Sequence, residues 1–124
     1  MKPLARIAST ICLGLLAHCA VYPEESSKVA RLREEIMTLI GPATCANLVN
    51  CRVAALGIDA CGGPQEYVAY SWLSTEKAAL ETKIAEYNFE QEDAQKKDPT
   101  AGACVTKPEP VAVCVNRRCV ISNR

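Results

Sequence analysis

The sequence predicts an α+β fold, with a small antiparallel sheet packed against two helices and stapled by three disulfides. The chain has 124 residues, which is enough for one domain. Two segments with helical spacing of apolar residues alternate with short runs rich in β-branched residues. Six cysteines follow an export signal, and an even number in a small exported domain is typical of a disulfide framework.

Residues 1–19 are typical of a signal peptide, and residues 20–124 form the predicted domain. Two basic residues precede an uncharged stretch, IASTICLGLLA at residues 7–17, which is too short to span a bilayer. The leader ends in LAHC, which resembles the box in which bacterial lipoproteins are acylated, so Cys19 is a lipidation candidate. His18 departs from that box, which has a small residue there, and ordinary removal of the leader is the alternative. We therefore expect an exported protein, either periplasmic or lipid-anchored at the outer membrane, or else secreted in soluble form.

The first half of the domain is predicted to hold one helix and two strands. Apolar residues recur at three- and four-residue spacing over Pro23–Ile40, and Gly41-Pro42 ends that helix. Residues 51–56 and 66–72 have the β-branched and aromatic content of strands. Between them, CGGP at residues 61–64 predicts a tight corner, because glycine permits backbone angles closed to other residues.

The second half is predicted to contain another helix and a hairpin. The helix runs for about twenty residues from Ser74 or Thr75, and Asp98-Pro99 stops it. A strand is expected around residues 103–107. The last strands form a hairpin that turns at Asn116-Arg117, where asparagine suits the positive φ of a tight turn better than arginine does.

The cysteines of the domain leave several pairings open. A two-residue hairpin turn places Cys114 opposite Cys119, within disulfide reach, so this is the first bond expected. A shift of one residue in the turn would free both for distant partners. The spacing of Cys45 and Cys51 would also let a bond close the short loop between them. Six cysteines allow 15 pairings, and all six are predicted to be bonded: Cys45, Cys51, Cys61, Cys104, Cys114 and Cys119.

Several chemistries are disfavoured by residues that the chain lacks. Its sole histidine, His18, leaves with the signal peptide, so the domain cannot use Ser-His-Asp or Cys-His catalysis. No CxxC pair is present, which argues against a thioredoxin-type site and against a zinc site. We therefore predict no catalytic, metal or cofactor site. A small enzyme that uses Glu66, Asp59 and a tyrosine such as Tyr70 in a pocket is the alternative.

The charge balance excludes one class of partner. The whole chain has 14 basic and 14 acidic residues, and removal of Lys2 and Arg6 with the leader makes the domain slightly acidic. Nucleic-acid binding requires a concentrated basic surface, so no nucleic acid is expected. Contact with a membrane is expected only through a lipid on Cys19.

The aromatic run after CGGP has two interpretations. Tyr67, Tyr70 and Trp72 lie within six positions in a chain that is only 5% aromatic. The first interpretation is a corner that delivers these side chains to the core. The second is an exposed interaction surface, because Tyr and Trp are enriched at interfaces. Further on, TKPEP at residues 106–110 is predicted to be an ordinary connection, with a rigid recognition loop as the alternative.

The chain resembles a family of small exported, cysteine-rich proteins and candidate lipoproteins of Gram-negative bacteria. Its members share C-x5-C-R-x-V, then C-G-G-P-x-x-Y-x-x-Y-S, a helix and a C-terminal R-C-V. The likeness covers roughly residues 26–121, and Arg117 departs from it, because that turn more often carries glycine. The resemblance implies an exported class and no assigned activity. The matching residues are Cys45, Cys51, Arg52, Cys61, Gly62, Gly63, Pro64, Tyr67, Tyr70, Ser71, Arg118, Cys119 and Val120.

These observations together predict a non-enzymatic protein of the cell envelope that binds a protein partner. One alternative is a secreted inhibitor of an extracellular hydrolase, because loops held by disulfides make preorganised ligands. The carboxylate-dependent enzyme described above is the second alternative.

Overall fold

The computed structural model describes residues 24–97 and 107–122 and confirms the α+β class. In chain order, its elements are α1 (Glu24–Ile40), one turn of 3₁₀ helix (Leu48–Asn50), β1 (Cys51–Leu56), β2 (Glu66–Ser71), α2 (Lys77–Lys97), β3 (Val111–Val115) and β4 (Arg118–Ser122). The predicted leader, Cys19, Cys104 and all but the last residue of the strand expected at 103–107 lie outside the described residues.

The helices end where local signals place them. Gly41 ends α1 in a left-handed conformation, with φ 57°, and its N–H donates to the carbonyl of Met37 at 2.9 Å. α2 begins later than the predicted Ser74 or Thr75. The carboxylate of Glu76 accepts the N–H groups of Ala78 and Ala79, at 3.3 and 2.7 Å, and so satisfies the first turn of α2.

α1 and α2 pack against each other in antiparallel orientation. Lys28, near the start of α1, pairs with Glu90, whereas Glu35, further along α1, pairs at 2.9 Å with Lys83, which comes earlier in α2. The two helices therefore run in opposite directions. The apolar stripes of the two helices belong to one core cluster. Their fully or nearly fully buried members are Leu32, Ile36, Ile40, Leu80 and Tyr87.

The strands form two separate two-stranded antiparallel sheets rather than one sheet. β1 pairs with β2, from Cys51 opposite Ser71 to Leu56 opposite Glu66, and β3 pairs with β4. The outer edge of β4 is covered by the chain that follows α1. The N–H of Cys119 donates to the carbonyl of Ala43 at 2.8 Å, and β4 therefore pairs with that segment rather than with β1 or β2.

The β1–β2 hairpin lies between the helices and the β3–β4 hairpin. Side chains alternate between the two faces of a strand, so Glu66 shares a face with Val68 and Tyr70. Glu66 bonds to Arg33 of α1, and this face therefore packs on the helices. Cys51 lies on the opposite face and is bonded to Cys119 of β4, so the second hairpin covers that face.

The disulfides join the two hairpins, and the pairing expected from the sequence is wrong. Cys45 is bonded to Cys114, and Cys51 is bonded to Cys119. The expected Cys114–Cys119 bond does not form, nor does a bond between Cys45 and Cys51. Cys61 is also disulfide-bonded.

The hairpin turn itself is confirmed, so Cys114 and Cys119 are close in space although they are not bonded to each other. Asn116 and Arg117 both have positive φ, 50° and 63°, and Cys114 lies directly opposite Cys119. A directly opposed pair of this kind has Cα atoms only about 4.5 Å apart, at the short limit for a disulfide. Across the interface between the hairpins, the observed Cα separations are 6.0 and 5.4 Å, near the commonest value.

Candidate interaction surface

The three aromatic residues of the predicted surface do not lie together. Tyr70 is 7% exposed and belongs to the core, so it is not available to a partner. Tyr67, near the start of β2, is half-buried, and its hydroxyl donates to the carbonyl of Lys107 at 3.4 Å. Trp72 follows the other end of β2 and is 51% exposed. Of the three, only Trp72 presents a large exposed surface.

Trp72 belongs instead to an exposed apolar cluster that we call the apolar rim: Leu48, Val49, Trp72 and Leu73. These four side chains are between 51% and 64% exposed. The indole N–H of Trp72 donates to the carbonyl of Val49 at 3.0 Å, and its backbone N–H donates to the carbonyl of Asn50 at 3.1 Å. These two bonds bring two pairs of residues together that lie more than twenty positions apart in the chain.

Side-chain amides hold the 3₁₀ turn that presents Leu48 and Val49. The side-chain oxygen of Asn47 accepts the N–H of Val49 at 3.1 Å, and that of Asn50 accepts the N–H groups of Ala46 and Asn47 at 2.9 and 3.2 Å. These amides form a reciprocal cap. The disulfides of Cys45 and Cys51 anchor the chain on both sides of the turn, so the two apolar side chains are held outward by a fixed backbone.

A groove beside the rim separates β1 from β3, and we call it the β1–β3 groove. Its volume is about 740 Å³. Arg52 and Glu109 are its charged residues. The guanidinium of Arg52 donates to the carbonyls of Val49 and Cys51, at 2.7 and 2.8 Å. The other lining residues are mainly apolar: Leu48, Val49, Cys51, Val53, Val111, Ala112, Val113 and Ser122.

The carboxylates proposed for an alternative catalytic site have structural bonds. Glu66 accepts two hydrogen bonds from Arg33, at 3.0 and 3.2 Å, and this contact raises the pKa of Arg33. One carboxylate oxygen of Asp59 accepts the N–H groups of Cys61 and Gly63, both at 2.9 Å. Tyr70 is buried. Each of the three groups therefore has a role in the fold.

Polar side chains of α2 hold the chain just before the CGGP corner, and these contacts were not among those predicted. Asn88 accepts the N–H of Gly57 at 2.9 Å, and Gln91 accepts the N–H of Ile58 at 3.2 Å. Gln95 donates to the carbonyl of Ile58. The signal was present in the sequence, because amides three, four and seven positions apart share one helix face.

Three sulfur atoms lie close enough together to be considered as metal ligands. Those of Cys45, Cys51 and Cys119 lie within 4.8 Å of one another. Metal binding requires thiolates, whereas all three are oxidised to disulfides here. The geometry accordingly serves the cross-links.

Neither helix in the described part of the chain is long and apolar enough to cross a bilayer. Comparison with protein-family models, with characterised proteins and with solved structures finds no match to this chain.

Proposed function

We propose that this protein is a non-enzymatic binding module of the cell envelope that contacts a protein partner through the apolar rim. The observation that carries the proposal is the bond from Trp72 to Val49, which joins two exposed apolar pairs, Leu48-Val49 and Trp72-Leu73, on a fixed backbone. Exposed apolar clusters on small folded proteins mark interaction sites. Tryptophan is also among the residues that contribute most to binding at interfaces.

Preorganisation supports this assignment. Disulfides anchor the 3₁₀ turn through Cys45 and Cys51, and Trp72 is bonded to that turn at two points. A surface that is ordered before binding loses little conformational entropy when the partner arrives, so more of the contact energy appears as affinity. Disulfides are also typical of oxidising compartments, which agrees with the proposed export of the chain to the periplasm or to the outer membrane through Cys19.

The two alternatives have less support. The segment expected to form an inhibitory loop is exposed at Lys107 to Glu109, but the ammonium of Lys107 donates to the carbonyl of Gln65 and Tyr67 donates to the carbonyl of Lys107. The segment therefore lies against β2 rather than projecting as a free loop. For an enzyme, Glu66 and Asp59 would have to leave the bonds that they make in the fold.

Site-specific photo-crosslinking in the native host tests the proposal. A photoreactive phenylalanine analogue would replace Leu73 in one variant and Phe89 in a matched control, since Phe89 is 68% exposed on α2. We expect position 73 to yield one predominant protein adduct, identified by mass spectrometry, that position 89 does not yield. Identical adducts at both positions, or none at position 73, would contradict the proposal. Stoichiometric inhibition of a purified hydrolase would favour the inhibitor instead.

A further inference from the structure

We propose that the edge of β3 that faces away from β4 pairs with the same edge of a second copy, in antiparallel orientation about a two-fold axis at Val113. The two β3–β4 hairpins would then form one four-stranded sheet. This dimer uses the β3 side of the β1–β3 groove, whose lining also includes Leu48 and Val49 of the apolar rim, and it leaves Trp72 and Leu73 open. The proposal does not rest on the function proposed for the apolar rim, and a crosslink from Leu73 tests that function separately.

As far as residues 24–97 and 107–122 are concerned, the backbone of β3 presents unpaired groups at this edge. In a hairpin with a two-residue turn, the two residues that flank the turn form backbone hydrogen bonds with each other, and the backbone groups of the next pair point outward. Here the flanking pair is Val115 and Arg118, and the next pair is Cys114 and Cys119. On β4 this is observed directly, because the N–H of Cys119 bonds outward to Ala43 at 2.8 Å. By the same alternation, Ala112 and Cys114 point outward on β3. Within residues 24–97 and 107–122, these outward groups of β3 have no backbone partner comparable to Ala43.

Proline limits this edge and selects its register. Pro110, the next outward position, has no N–H, so ladder pairing cannot extend fully beyond Ala112. One antiparallel register satisfies every outward N–H and C=O of both residues, namely Ala112 opposite Cys114 of the partner. The same register places Val113 opposite its own symmetry mate. An interface related by a two-fold axis closes on itself, so the pairing ends with two chains.

Side chains at every second position of this segment are complementary under that register. Val111, Val113 and Val115 occupy alternate positions of β3, with the acid Glu109 before them and the base Arg117 after them in the turn. Antiparallel pairing about Val113 brings Val111 level with Val115 of the other copy and places Glu109 near the turn that carries Arg117 of the other copy. Val115 is 48% exposed in the single chain, and pairing would cover it.

Neither charge of this pattern is in an ion pair in the described parts of the chain. Glu109 and Arg117 are both exposed, and the recorded ion pairs there involve other residues: Lys28–Glu90, Arg31–Glu35, Arg33–Glu66, Lys77–Glu81, Lys83–Glu35, Lys83–Glu86, Lys96–Glu92 and Lys97–Asp93. Two opposite charges at the ends of one edge favour the antiparallel arrangement over the parallel one, which would bring like charges together.

Sedimentation of the purified, oxidised protein over a range of concentrations is the primary test. We expect a concentration-dependent dimer. Reversing one charge, in E109R or in R117E, should weaken association by about tenfold, because like charges then meet at both ends of the interface. The double variant E109R/R117E restores opposite charges and should return the dissociation constant to the wild-type value. K77E, on α2, is the control variant and should leave association unchanged.

Hydrogen exchange locates the interface without any substitution. The amides of Ala112 and Cys114 should exchange more slowly at dimer-forming concentrations, whereas the amide of Cys119 should not change, because it is already bonded to Ala43. A wild-type protein that remains monomeric, a double variant that fails to recover, or protection confined to other strands would each overturn the inference. None of these results would affect a crosslink from Leu73 to a different protein.

Discussion

The Cys45–Cys114 and Cys51–Cys119 disulfides run side by side. Removing both should therefore lower the free energy of unfolding by more than the sum of the losses from removing each one alone. Each bond closes a loop with a sequence separation of 69 or 68 residues. In the chain-entropy model, closing a loop of that size in the unfolded chain is worth about 4 kcal/mol. While one bond is intact, however, the other closes only a small additional loop.

The size of that additional loop sets the expected magnitude. Only six positions separate Cys45 from Cys51, and five separate Cys114 from Cys119. An additional loop of about a dozen residues is worth about 3 kcal/mol. We therefore expect C45A/C114A and C51A/C119A each to lose about 3 kcal/mol of unfolding free energy. The variant that lacks both bonds should lose about 7 kcal/mol, which exceeds the sum of the two by roughly 1 kcal/mol.

Urea unfolding at 25 °C, followed by circular dichroism, measures these differences, with a stabilising osmolyte present in every sample so that the least stable variant folds. The small cavities left by each cysteine enter the single and combined variants alike, so they cancel in the comparison. The Cys61 disulfide is left intact throughout. The parallel-loop reasoning would be refuted if the loss of unfolding free energy in the variant without both bonds equalled the sum of the two single-bond losses. It would also be refuted if either single-bond loss exceeded half of the combined loss.

Three further predictions concern the turn, the corner and the core. R117G should raise the melting temperature, with a gain of about 0.5–1 kcal/mol, because Arg117 has φ 63°; R118G, in a strand, should lower it. Q91L should speed hydrogen exchange at Ile58 and cost about 1–3 kcal/mol, because it leaves that N–H without its acceptor, whereas Q91E keeps an acceptor there. Burial, aided by the charge of Glu66, raises the pKa of Tyr87 in the folded protein above its ordinary value of 10.0. The stability that the neutral phenol contributes is therefore complete below pH 10.0 and is lost as the pH rises through the folded pKa. Urea unfolding should therefore show a smaller alkaline loss of stability in Y87F than in the wild type.

Local signals in the sequence were sufficient for most of the secondary structure. The first strand was predicted with its observed bounds, Cys51–Leu56, and α1 ends at Ile40 as Gly41-Pro42 indicated. The turn at Asn116-Arg117 was also predicted correctly. Each of these features is decided within a few residues, by proline geometry, by positive φ or by the alternation of side chains.

The surface residues were harder to predict because burial depends on the layer that covers each strand face. Tyr70 and Trp72 lie on the same face by alternation, and both were assigned to one group. Helices cover the middle of that face, so Tyr70 is buried, whereas Trp72 lies beyond the end of β2 and is exposed. Leu48 and Val49 showed no signal of their own, since exposed apolar residues in a short turn have no periodicity to detect.

The sequence by itself determined the fold class, the bounds of several elements and the use of cysteines as cross-links. Tertiary structure alone decided which sulfur atoms meet and which apolar side chains remain exposed. Cys114 and Cys119 are neighbours along the chain and across their hairpin, yet each is bonded to a cysteine of the segment packed against that hairpin. Pairing follows distance and direction in the packed molecule, and these depend on how two hairpins far apart in sequence stack. The apolar rim also depends on tertiary structure, because it forms where Trp72 bonds to Val49, 23 positions away in the chain.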